Sequence, residues 1–145
     1  MVEALRIDHI GIAVNRLDDA LPFYTDTLRL KLVGVEEVRE EQVTIAMLQI
    51  GETRIELLEP LSKEGAVARF LQKRGEGIHH VAFSVDNVTA MTKQIEKRGS
   101  DLVYSEPKVI PGNRAINFIH PRSTHGVLVE LIERYHEMGE SHGSR

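Results

Sequence analysis

GIHHVAFSVDN, residues 77–87, repeats a pattern that the chain carries once already near its start. Its segment HVAFSVD (80–86) lies 71 positions after HIGIAVN (9–15), so His80 aligns with His9. Each segment is a histidine followed by alternating small and apolar residues, the pattern of a half-buried strand. Neighbouring side chains on a strand point to opposite faces, so His79 and His80 cannot both face inward. His80 is the residue that matches His9, and it shares a face with Ala82 and Ser84. His79 is expected to point away.

The correspondence continues outward from this pair. Asn15 meets Asp86, both residue types that cap helix N-termini. Leu17, Ala20 and Tyr24 meet Val88, Met91 and Ile95, one apolar stripe at helical spacing. Gly99 closes the second helix, and Pro22 is tolerable in the first only near its start. Strands follow each helix: about 31–38, 42–50 and 53–59 in the first half, and about 101–105, 114–120 and 127–133 in the second. Gly51-Glu52 is a hairpin turn, and Pro121 to Gly126 forms the last turn. The halves also end alike, RIELLE (54–59) against LVELIE (128–133).

The order is therefore βαβββ twice, an α+β fold of tandem βαβββ modules forming a curved mixed sheet with a cleft. One domain spans 1–145, with module 1 at about 5–60 and module 2 at about 77–133. Between them a linker at about 61–76 holds a short helix around Val67, Phe70 and Leu71. The tail, 134–145, shows no periodicity and is expected to be frayed.

Composition narrows the function classes. The 145 residues are 41% hydrophobic and 28% charged, with a net charge of -4 and no cysteine. That charge, without a basic stripe, gives no reason to expect a nucleic-acid partner, and no apolar run is long enough for a membrane span. Without cysteine there are no disulfides, thiolate ligands or cysteine nucleophiles. MVEALRIDHI lacks the pattern of a secretory signal, so the expected compartment is the cytoplasm. No GxGxxG, Walker or GxSxG pattern is present.

A single glutamate on a strand ordinarily marks a solvated face, and a single histidine is ordinarily structural. Here four polar residues fall at two pairs of equivalent positions: His9 with His80, and Glu56 with Glu130. Equivalent positions in a twofold-related pair of modules converge on the axis, which would gather two imidazoles and two carboxylates in one cleft. Such a set suits a divalent ion with positions left open for substrate. Other candidates carry less. Arg114, with Asn113 beside it, could take an anion. Glu40 and Glu41 begin a strand. His120 suits a supporting role, whereas His125, His136 and His142 belong to a turn or the tail.

DHIGIAV, ELLEPL, FLQKRGEGIHHVAFSVD, NFIHP and GVLVEL resemble the vicinal oxygen chelate superfamily, and within it most closely the methylmalonyl-CoA epimerase family. The resemblance runs from about Ile7 to Glu133. It implies metal ligands at His9, Glu56, His80 and Glu130, with Glu56 standing where many members have glutamine. It also implies one divalent ion (Co, Mn, Zn or Ni), an acyl-CoA thioester as the small-molecule partner, a homodimer, and Glu130 as a catalytic base. Some members carry a glutamate, thought to be a further base, at the position that is Ile45 here; Glu40 and Glu41 are nearby candidates for that role. Two alternatives stay open: a lactoylglutathione lyase-type enzyme, and a non-catalytic small-molecule binder of the same fold.

Overall fold

The computed structural model describes residues 1–135. Among these the element order is β1 (Ala4–Ala13), α1 (Leu17–Pro22), β2 (Lys31–Val38), β3 (Val43–Ile50), β4 (Thr53–Pro60), α2 (Ala66–Arg74), β5 (Gly77–Val85), α3 (Val88–Lys97), β6 (Lys108–Ile110), β7 (Arg114–Ile119) and β8 (Val129–Arg134). This is βαβββ written twice around α2, and the fold class is α+β. The chain divides into two compact units, Ile7–Ala82 and Met1–Arg6 with the chain from Phe83 onward.

In the first unit the strands lie in the order β2-β3-β4-β1. β1 runs parallel to β4, and β4 and β3, then β3 and β2, are antiparallel. Alternation along β1 sends Ile12 and Val14 to one face, where they pack with Leu17, Ala20, Leu21 and Tyr24 around the buried Ala46, Leu48 and Leu57. The predicted stripe of α1 thus reaches the core. Pro22, however, is the last residue of α1, and the chain continues through a wider π-helical turn at Phe23–Thr27. Proline has no N–H to donate and ends the regular ladder there. The opposite face of β1 carries His9, Gly11 and Ala13. At its far end Ala13, Val43 and Leu58 pack with Val67, Phe70 and Leu71 of α2. That burial draws α2 into the first unit.

In the second unit β7 lies between β8 and β6 and runs antiparallel to both. Val88 and Met91 of α3 pack on Val85, Ala115, Ile119 and Leu131. Three sequence expectations need correction. Residues 101–105 form no strand: Leu102 makes only an isolated bridge to Ile119, and the strand is β6 at Lys108–Ile110. The buried Asn117 side chain takes the place of a ladder there, accepting from Tyr104 N (3.1 Å) and donating to Tyr104 O (3.1 Å). The helix caps fall one residue later than Asn15 and Asp86. Asn87 caps α3 by accepting from Ala90 N at 2.9 Å, whereas Arg16 caps α1 without a side-chain bond. Finally, Arg134 belongs to β8, where it pairs with Arg114, rather than to a frayed tail. The proposed tail beyond Tyr135, with His136 and His142, lies outside the described residues.

Both helix starts are completed from the strands. Glu59 Oε1 accepts from Leu17 N at 2.6 Å, and Glu133 Oε1 accepts from Val88 N at 2.8 Å. Each glutamate stands three residues after a candidate ligand, Glu56 or Glu130, and an odd step along a strand reverses the face. The repeated ExxE therefore sends its second carboxylate to a helix N-terminus, where the exposed N–H groups and the helix dipole favour negative charge.

Candidate metal centre

His9 and His80 come together in the first unit, with their Nε2 atoms 3.1 Å apart and their rings edge to face. His9 is 4% exposed and His80 8%, a depth at which polar atoms need partners. Asp8, equally buried, supplies one: its Oδ2 lies 2.8 Å from His9 Nδ1. A carboxylate only accepts, so His9 carries its proton on Nδ1 and presents the Nε2 lone pair. Glu56 Oε1 is 3.6 Å from the same Nε2. The register explains this approach, because Glu56 pairs with Gly11, two residues along β1 from His9 on the same face.

Gly11 makes room for the second histidine. A Cβ there would stand 2.6 Å from His80 Nδ1 and nearer still to its Cε1, so only glycine lets that ring lie against β1. His79 does not simply point away. Its Nδ1 is 3.0 Å from His80 Nδ1, and its ring packs edge to face on Phe70 of α2 at 5.1 Å. The backbones alternate, but two imidazoles are long enough for their edges to meet. Neither Asp8 nor His79 was assigned a role from the sequence; the adjacent acid in DH and the doubled histidine were the available signals.

The donors fit a divalent ion. Imidazole nitrogen and carboxylate oxygen suit the borderline cations, and the 3.1 Å Nε2 separation matches adjacent donors on an ion bound at roughly 2.0–2.1 Å.

Glu130 lies in the other unit, 7% exposed, on β8 opposite Phe118. Arg114 opens β7, four residues before Phe118 on the same face, and its Nε donates to Pro111 O at 2.9 Å. At ~3.3 Å per residue it starts about 13 Å along the strand from the Glu130 position. Asn113 sits in the preceding turn with a φ of 56°, its carbonyl accepting from Tyr135 N at 2.7 Å. Glu40 and Glu41 do not begin a strand; they form a 3-10 turn between β2 and β3. Met47 is the β3 residue beside Glu56. Ile45 is on the Glu56 face and packs with the Ala13–Val43–Leu58 cluster. His120 accepts from Arg122 N at 3.2 Å and caps a short turn, a structural role, and His125 is exposed.

Residues 6–131 match the model of the Glyoxalase/Bleomycin resistance protein/Dioxygenase superfamily. The mitochondrial methylmalonyl-CoA epimerase of Mus musculus is 35% identical over 127 residues, 87% of this chain and 71% of that protein. An ethylmalonyl-CoA/methylmalonyl-CoA epimerase of Cereibacter sphaeroides is 33% identical, over 87% of this chain and 96% of its own. Among solved structures, a methylmalonyl-CoA epimerase in complex with methylmalonyl-CoA and NH4+ superposes with a TM-score of 0.85 at 38% identity, covering 91% of this chain and 96% of that one. The chain belongs to the glyoxalase/bleomycin resistance/dioxygenase superfamily and, within it, to the methylmalonyl-CoA epimerase family.

Proposed function

We propose that this chain interconverts (2R)- and (2S)-methylmalonyl-CoA by moving the proton next to the thioester carbonyl. The observation that carries this reading is the His9–His80 Nε2 pair, held by Asp8 and flanked by Glu56. With it stand the names of the relatives at a third or more identity. His9, His80, Glu56 and Glu130 would hold one divalent ion, of the Co, Mn, Zn or Ni type. When bound, that ion supplies Lewis acidity against the charge that develops on the thioester oxygen, an effect worth several kcal/mol in such sites.

The chain supplies the proton chemistry and the positioning. Glu130, a carboxylate, is the base for one face of the reacting carbon. Ile45 offers no proton acceptor for the other face, and Glu40 and Glu41, in the 3-10 turn that precedes β3, are the candidates for it. Arg114, with Asn113 beside it, would bind an anionic group of the substrate remote from the reacting carbon, such as a phosphate of the coenzyme A. We assign the working form as a homodimer in the cytoplasm. Among the described residues no helix is long and apolar enough to cross a membrane.

The test is to incubate a single epimer with metal-replete protein and resolve the products. Equilibration of the two epimers supports the reading. Turnover of a glutathione hemithioacetal without epimerisation would replace it with a lyase, and tight binding of the thioester without either reaction would make the protein a binder.

A further inference from the structure

Alternation along β4 puts Arg54 on the face that carries Glu56, about 7 Å nearer the start of the strand. In the register Arg54 stands beside His9 of β1 on one side and Gln49 of β3 on the other, as Glu56 stands beside Gly11 and Met47. The next row on this face, Ala13, Leu58 and Ile45, packs under α2. Three rows therefore follow one another in the first unit. The first is apolar and covered, the second holds Glu56 and the glycine against which His80 lies, and the third joins His9 to a guanidinium.

Arg54 is half-buried and already oriented. Its Nε donates to Gln49 Oε1 at 3.2 Å, and Gln49 is itself held by donating from Nε2 to Gly51 O at 2.7 Å. Nη1 lies against the Met47 sulfur at 3.7 Å, and a thioether is a weak acceptor. Among the described residues no carboxylate pairs with Arg54. Arg16 and Arg39 differ in this respect, since both are exposed and lie 3.4 Å from Asp19 and 3.6 Å from Glu37. A guanidinium drawn partly out of water without a charged partner is suited to one that arrives with a ligand, and its Nη edge matches the two oxygens of a carboxylate.

We propose that Arg54 forms an anion subsite beside the histidine pair and selects acyl thioesters that carry a free carboxylate on the reacting carbon, methylmalonyl over propionyl. The row it shares with His9 puts it at the reacting end of the substrate. The pairing also bears on the chemistry. Charge that develops on the thioester oxygen is repelled by the neighbouring carboxylate, and a guanidinium on that carboxylate offsets the repulsion. The subsite rests on the reading of the chain as an acyl-CoA epimerase.

The experiment is calorimetric titration of the metal-replete protein with methylmalonyl-CoA and with propionyl-CoA, which lacks the carboxylate. The unaltered protein is expected to bind methylmalonyl-CoA the more tightly. Arg54→Met should lose ~10-fold or more in affinity for methylmalonyl-CoA and keep its affinity for propionyl-CoA, which doubles as the check that the variant folds. Arg54→Lys, with the charge kept and the planar fork lost, should fall between the two. Equal loss for both thioesters in Arg54→Met would put the contact on a phosphate of the coenzyme and overturn the carboxylate assignment. Arg54→Lys no better than Arg54→Met would show that charge is not what is recognised, and would overturn it too. If the unaltered protein prefers methylmalonyl-CoA and Arg54→Met keeps that preference, the subsite is wrong and the epimerase reading stands. If the unaltered protein binds neither thioester, that reading fails and the subsite with it.

Discussion

Gly11 lies directly against the imidazole of His80, so close that a methyl group in its place would meet Nδ1 at 2.6 Å. A glycine inside a strand ordinarily costs roughly 0.5–1 kcal/mol relative to alanine. Here it is what allows two histidines from different strands to bring their Nε2 atoms together. Gly11→Ala should therefore displace the His80 ring and weaken zinc binding by at least ~10-fold, with the fold retained by circular dichroism. Unchanged affinity, measured by titration with a competing chelator, would show that His80 is not held where its ligand role requires.

Glu59 and Glu133 act on stability rather than on the reaction. Each accepts from the first N–H of a helix, at 2.6 Å and 2.8 Å. Glu59→Ala and Glu133→Ala should each destabilise the protein by about 1 kcal/mol. Glu59→Ala should cost the more, because α1 has no side-chain cap of its own whereas Asn87 caps α3. Denaturant unfolding of both variants checks the size and the order. Metal affinity should not move.

Arg114 separates binding from chemistry. If it holds a distant phosphate of the coenzyme, Arg114→Ala removes a charge-assisted contact and raises KM by ~10-fold or more, with kcat preserved. The defect should shrink against a short thioester that lacks the nucleotide portion. A fall in kcat with unchanged KM would move Arg114 to the reacting end.

How legible was this molecule in its sequence? The duplication decided the fold, because HIGIAV and HVAFSV alternate cleanly and β2 begins and ends where alternation predicted, at Lys31 and Val38. The second half was harder. DLVYS is as apolar as a strand, yet its backbone is held by the Asn117 side chain, and no local pattern announces a partner thirteen residues away. At the site, His9, His80 and Glu56 were readable because the repeat singled them out. Asp8 and His79 were not, since their roles depend on ring orientation, which alternation does not specify. The second glutamate of each ExxE was visible as part of the repeat, but its capping role depends on which helix packs behind the strand. Glu40 and Glu41 read as the start of a strand, and lie in a turn instead, because charge at a strand end looks the same whether the chain extends or turns.

Proton transfer next to the thioester is expected to need the ion held by His9 and His80. The most direct measurement is deuterium incorporation at C2 of methylmalonyl-CoA in deuterated water, followed by mass spectrometry. Metal-replete protein should wash deuterium in, chelated protein should not, and restoring the ion should restore exchange, while His80→Ala should stay inactive even with excess ion. Equal exchange by the chelated and replete proteins, or full exchange by His80→Ala, would show that the reaction does not depend on an ion held by these histidines.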